Sequence, residues 1–195
     1  MIEGVVTPIR ILALGGTTRP GSTSERALRI SGAAAEQAGA EVEYLTGERL
    51  VLPIYDPAVE ERSPEAAALV AAVKRVEGLI LASPGYHGGM SGMIKNALDY
   101  IEDLREHDRA YLDGLPVGLI AVAAGWQAAV TTLENMRTVV HALRGWPTPF
   151  GAAVNISGEI FVDDADDATA RGHVAMVADQ VIDFARARRL VQARD

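Results

Sequence analysis

A chain of 195 residues with 49% hydrophobic content is long enough to bury one sizeable core and falls in the range of a single domain. Its formal net charge of −8 argues against nucleic acid as a partner, because binding a polyanion rests on Lys and Arg neutralising phosphates. Cysteine is absent, which excludes disulfides, thiolate nucleophiles and Cys-ligated metal or iron–sulfur centres and leaves redox chemistry dependent on a bound cofactor.

The segment Ile9–Gly15 (IRILALG) reads as a first buried strand, followed by the loop GGTTRPGSTSER and a helix from Ser24 to Ala38. Glu41–Leu45 is a shorter second strand. Prolines in Leu52–Pro57 (LPIYDP) exclude regular helix there, and Ser63, Pro64 and Glu65 then open a helix that runs to Val76. Gly78–Ser83 is the third strand, ending in PGYHGGMSG, which its glycines and proline mark as a loop. Met93–His107 continues as a helix with Ile94, Leu98, Ile101 and Leu104 on one face. Leu115–Ala124 is the fourth strand, Thr131–Leu143 a helix, Pro149–Asn155 the fifth strand and Ala165–Arg188 a closing helix. No apolar run has the length of a membrane span or forms a signal peptide, so a cytoplasmic protein with no membrane contact is the expectation.

Strands alternating with helices, joined by right-handed crossovers, make an open doubly wound parallel sheet. In such a sheet the ligand lies beyond the carboxyl ends of the strands, where the strand order reverses. The loops after strands one, three and four are thereby brought to one edge.

The first loop has P-loop glycine spacing at Gly16 and Gly21, but Ser22 stands where that motif has lysine. Thr17, Thr18, Ser22, Thr23 and Ser24 offer hydroxyls, Arg19 a fork of N–H groups, and the following helix its positive end. This set suits a terminal phosphomonoester held without metal. A plain strand-to-helix turn with an N-cap serine is the simpler alternative. In the third-strand loop the glycines allow a flat ligand to lie on backbone groups beside Tyr86 and His87, or they serve only a tight turn. Trp126, after the fourth strand, falls on the ligand edge and either lines the pocket or packs; Trp146 falls at the opposite edge, in core or interface. His87, His107, His141 and His173 show no metal-binding spacing. The acidic run Asp163–Asp167 is explained by helix capping, and the basic FARARRLVQAR stretch by a solvated helix end.

With these elements in place the sequence resembles the NADPH-dependent FMN reductase family of flavodoxin-like proteins. The resemblance rests on Gly16, Thr17, Arg19, Gly21, Ser22 and Ser24 in the first loop. It rests also on Pro84, Tyr86, Gly92, Ile94, Lys95, Asn96, Ala97, Leu98, Asp99 and Tyr100 further on, with LPIYDP resembling a proline-rich segment of many members. It implies a five-stranded parallel sheet in the order 2-1-3-4-5 with helices on both faces. It further implies FMN with its phosphate at Thr17, Arg19, Ser22, Thr23 and Ser24, its ring system against Pro84, Gly85, Tyr86, His87 and Gly88, and Ala124, Gly125 and Trp126 closing one side. NADPH or NADH would supply a hydride without a side-chain acid or base, and His87 would offer a hydrogen bond to flavin or acceptor.

A homodimer or homotetramer is implied, with Lys95, Asn96 and Asp99 as structural or interface residues. So is a partner flavin-dependent monooxygenase, if free FMN is the acceptor. Many members carry Glu and Asn where this chain has Gly85 and His87, and a glycine-rich loop where this chain has AAGWQAA. These departures leave the acceptor open between free flavin and a quinone, azo or nitro compound. A flavodoxin-type electron carrier and a nucleotide-binding regulatory module are the competing readings.

Overall fold

The computed structural model describes residues 7–157, 161 and 168–193. A seven-stranded sheet forms its centre. Strands β1 (Arg10–Gly15), β2 (Glu41–Thr46), β3 (Gly78–Tyr86), β5 (Pro116–Ala123), β6 (Trp146–Pro147) and β7 (Ala152–Asn155) pair in parallel, while β4 (Gly89–Met90) pairs antiparallel with the end of β3. The spatial order is β2-β1-β3-β5, with β6 and β7 both pairing with β5 on its outer side. This is the expected 2-1-3-4-5 order with its last position divided between two short strands.

The central strands are buried on both faces, so their sequences are almost continuously apolar and the two-residue period decides only which helix each side chain meets. Leu12, Leu14, Leu79, Leu81, Leu119 and Ala121 pack with α2 (Pro64–Arg75), α3 (Gly92–Asp99) and α4 (Trp126–Ala142). Ile11, Ala13, Ile80, Ala82, Ile120 and Val122 face the other way, onto α1 (Thr23–Gln37) and α5 (Ala168–Gln192). Among the described residues no helix is long and apolar enough to cross a membrane.

Four local features differ from the sequence reading. PGYHGGMSG is a β-hairpin rather than a loop: His87 (φ 51°) and Gly88 (φ 87°) are its two central residues, and the register joins Tyr86 to Gly89 and Gly85 to Met90. Positive φ at both central positions is the condition for a type I′ turn, whose twist matches the flanking strands. The helix over Met93–His107 is α-helical only to Asp99 and tightens to a 3-10 turn over Tyr100–Leu104. Helix α4 begins at Trp126, five residues before the expected start, because Gly125 (φ 103°) turns the chain directly into it. The fifth strand starts at Ala152 and not at Pro149, with Trp146–Pro147 a separate short strand before it; Pro149 has no N–H to give the ladder, and the Arg137 guanidinium takes the carbonyls of Thr148 and Pro149, each at 3.1 Å.

Trp146 is 55% exposed and packs on Phe184 at a ring separation of 4.9 Å, so it is a surface residue and not core. The acidic run Asp163–Asp167 lies outside the described residues.

Candidate functional site

The carboxyl ends of β1, β3 and β5 open into a cavity of about 570 Å³. The first loop forms one wall of it. Gly15 lets β1 approach β3 so closely that a Cβ there would overlap the Ala82 carbonyl, and the Gly16 N–H is anchored to that same oxygen at 3.3 Å. The chain then turns through Thr17–Gly21 into α1, whose N-cap Ser22 accepts the Glu25 N–H at 3.4 Å and lies 3.3 Å from the Ser24 hydroxyl.

These bonds leave the N–H groups of Thr17, Thr18, Thr23 and Ser24 without an acceptor among the described residues. The Arg19 guanidinium is likewise without a partner there. Orphan helix N–H groups, hydroxyls and a free guanidinium in one turn make an anion cradle, and the positive end of α1 reinforces it.

Glu25 stiffens this wall, a role the sequence reading passed over. Its carboxylate accepts the Gly21 N–H at 3.0 Å, the Arg29 guanidinium at 3.0 and 2.8 Å, and the Thr46 hydroxyl at 3.4 Å. Burial pushes its pKa up, but the Arg29 and Gly21 hydrogen bonds outweigh burial and hold it below the usual carboxylate value. The S-x-x-E spacing of Ser22 and Glu25 is the sequence signal that could have found it. Instead of closing a capping box on the Ser22 N–H, which donates to Arg19, Glu25 reaches one residue further back.

The second wall is the end of β3. Pro84, Gly85 and Tyr86 line the cavity, as do Val122, Ala123 and Ala124 at the end of β5 and Ile156 after β7. The hairpin beyond Tyr86 is fastened to α4, where the Asn135 amide oxygen accepts the Met90 N–H at 3.2 Å and the Thr132 hydroxyl donates to the Gly89 carbonyl at 3.4 Å. Ser83, fully buried, accepts the Ser91 N–H at 3.0 Å and so closes the hairpin's base. At Gly85 a Cβ would collide with the Thr132 hydroxyl and come within 3.1 Å of the Ala123 Cβ. Glycine at this position is therefore required by the packing of β3 on α4.

Of the residues singled out from sequence, Thr17, Arg19, Ser22, Thr23, Ser24, Pro84, Gly85, Tyr86 and Ala124 line this cavity together. His87 and Gly88 sit exposed at the hairpin tip and Gly125 caps α4; none of the three lines it. Trp126, 64% exposed, lines a neighbouring cavity of about 260 Å³ with Asn155 and His173. Thr18, one of the hydroxyls named in the first loop, lines it too, and Val122, Ala123 and Ile156 are lining residues that the motifs did not point to. Asn155 is a further support, accepting the Gly125 N–H at 2.8 Å and thereby setting where α4 starts.

Comparison with known proteins bears on the family and the fold. The family model described as NADPH-dependent FMN reductase matches residues 9–158. The chain belongs to that family. Among its relatives, an NADPH azoreductase of Bacillus sp. (strain OY1-2) is 36% identical over 86 residues, which are 44% of this chain and 45% of that protein. An FMN-dependent NADPH-azoreductase of Staphylococcus haemolyticus (strain JCSC1435) is 30% identical over 132 residues, 66% of each chain. The matched stretch thus spans about half of the first relative and just under two thirds of the second. Among solved structures, FerB of Paracoccus denitrificans, a flavoenzyme NAD(P)H:(acceptor) oxidoreductase, superposes with a TM-score of 0.73 at 18% identity, covering 90% of this chain and 98% of its own. At that identity the likeness establishes the shared flavodoxin-like fold of this NADPH-dependent FMN reductase family member.

Proposed function

We propose that this chain is an NAD(P)H-dependent flavin reductase that binds FMN in the cavity between the first loop and the ends of β3 and β5. The observation that carries the reading is the polarity of that cavity along the sheet. Hydroxyls, orphan N–H groups and Arg19 lie at the β1 side; Pro84, Val122, Ala123, Ala124 and Ile156 lie toward β5 and β7. A phosphomonoester joined to a flat, weakly polar ring has the same division.

Bound FMN supplies a hydride acceptor for the nicotinamide and a donor of electrons to a second substrate. Thr17, Arg19, Ser22, Thr23 and Ser24 hold the phosphate, and Glu25 keeps their loop in shape through Gly21. Pro84, Gly85, Tyr86 and Ala124 would hold the ring. Among the described residues the lining holds no carboxylate, imidazole or lysine, and hydride transfer is a reaction that needs no side chain to move a proton. His87 and Gly88 at the hairpin tip, and Gly125 and Trp126 at the start of α4, lie outside that lining and in this reading are the residues that nicotinamide and acceptor would meet in turn. His87 offers its imidazole to whichever is bound.

The names of the relatives favour a second reading of the acceptor, in which FMN is retained and an azo compound, or a quinone or nitro compound, takes the electrons. If free FMN is the acceptor, reduced flavin would serve a partner monooxygenase. One experiment tests activity and separates these arms: titration with FMN, followed by oxidation of NADPH and NADH with free FMN, a quinone and an azo dye as rival acceptors. Failure to bind FMN would overturn the proposal, and binding without pyridine-nucleotide oxidation would leave an electron carrier.

Self-association through the α3 side is part of the proposal. Val51, Ile54 and Val59 are 57%, 83% and 47% exposed on a segment that Asn96 and Tyr100 pin in place, and such a fixed apolar surface suits a second copy. Light scattering of wild type and Ile54→Asp tests it; a wild-type monomer would exclude it.

A further inference from the structure

At the other end of the sheet, before β3 and β5 begin, Val76, Glu77, Arg109, Leu115, Arg188 and Gln192 line a cavity of about 80 Å³. Arg109 is bonded there to another part of the fold, and Arg188 is packed there over Gly114. Arg109 Nη1 donates to the Val76 carbonyl at 2.8 Å and Nη2 to the Val73 carbonyl, which satisfies the carbonyl end of α2. Its Nε is buried and has no acceptor among the described residues. The Arg188 guanidinium lies so close over Gly114 that a Cβ at that residue would overlap it. Arg188 has no hydrogen-bond or ion-pair partner among the described residues.

The carboxylate on the cavity wall does not balance this pair. Glu77 accepts the Arg189 guanidinium at 2.8 and 2.6 Å and the Arg10 N–H at 3.1 Å. Burial, followed by the positive charge of Arg188, pushes the pKa of Arg109 below the usual arginine range, and Asp113 opposes this only as the smallest influence. Two like charges thus face a shared, partly desolvated space, and an unpaired buried N–H adds to the cost.

We propose that this cavity is a binding site for a small inorganic anion, in the size range from chloride to phosphate, held between Arg109 and Arg188. A guest of that kind relieves the repulsion and can accept from both guanidinium groups, whereas water relieves only the unpaired N–H. The space exceeds the roughly 10–15 Å³ needed to seat one water-sized group, so a polyatomic oxyanion fits. The site is remote from the cofactor cavity and independent of it. Its role is to tie α2, through Arg109, to the last turns of α5.

Two measurements on the flavin-loaded protein test this. Iodide soaked into crystals should give an anomalous peak between Arg109 and Arg188, absent in Arg188→Met. In solution, replacing gluconate by chloride or phosphate at constant ionic strength should raise Tm saturably by a few degrees in wild type. The rise should disappear in Arg188→Met, shrink in Arg188→Lys, and leave FMN affinity unaltered in both variants. If Arg188→Met does not fold, Arg188→Lys alone carries the comparison. No peak in the cavity, or an equal anion response in wild type and the folded variants, overturns the proposal.

Discussion

The Glu25 carboxylate accepts the Gly21 N–H at 3.0 Å while the Arg29 guanidinium grips its other oxygen, so a buried acid on α1 fixes the turn that carries Arg19. Its pKa is depressed in the folded chain, which means that its stabilisation is fully present above the usual carboxylate value of 4.5. That stabilisation is lost as pH falls through the lower folded value. Arg29 is half exposed, and screening limits its share. Denaturant melts across this acid range should show wild-type stability falling with pH more steeply than that of Glu25→Gln. Parallel curves would show that Glu25 does not brace the turn in its ionised form.

Arg19→Ala should separate phosphate from ring. A charge-assisted hydrogen bond contributes about 1.5–3 kcal/mol, which corresponds to a roughly 10–100-fold loss of FMN affinity. Riboflavin, which has no phosphate, should bind the variant within about twofold of wild type on the same argument. The measurement is flavin fluorescence quenching with both ligands. Equal losses would mean that Arg19 does not face the phosphate.

These two residues also mark what could be read from sequence. Thr17, Arg19, Ser22, Thr23 and Ser24 were legible because hydroxyls and a cation between a buried strand and a helix start have few other uses, and they do converge on one cavity. The strands were legible because doubly buried strands are nearly all apolar. The hairpin at Tyr86–Gly89 was not, since its signal is a pair of positive φ values and His-Gly is a weaker sign of these than Asn-Gly. Nor was the start of α4, because Gly125 looks like loop until its N–H is seen to meet Asn155, thirty residues on. Contacts between segments distant in sequence leave no local pattern.

Gly85→Ala should destabilise the protein by about 1–3 kcal/mol, the usual cost of forcing an extra methyl into a packed site. The cause named here is the Thr132 hydroxyl, on α4, where the new Cβ would go. Removing that hydroxyl should therefore recover part of the loss, and Gly85→Ala/Thr132→Ala should be more stable than the sum of its single variants predicts. Recovery is partial because Ala123 Cβ remains 3.1 Å away. Chemical denaturation of the four proteins measures the coupling. Simple additivity would place the strain elsewhere.

Asn96 is the other residue whose role is set by a distant segment. Its amide oxygen accepts the Tyr55 N–H at 2.8 Å and its amide nitrogen donates to the carbonyls of Pro53 at 2.8 Å and Leu52 at 3.4 Å, with Tyr100 adding a bond to Pro53 at 3.0 Å. Further along, Arg62 pairs with Asp103 at 2.8 and 2.7 Å and stacks over Tyr55. The proline-rich segment has no ladder of its own, so these side chains supply its order. Asn96→Ala removes all three amide bonds and leaves the Tyr55 N–H without its acceptor, at an expected cost of about 1–3 kcal/mol. Hydrogen exchange should then quicken at Tyr55 and its neighbours while Gly16 and Gly21 in the first loop keep their protection. Faster exchange in both segments would mean that Asn96 supports the whole carboxyl edge of the sheet and not the strap alone.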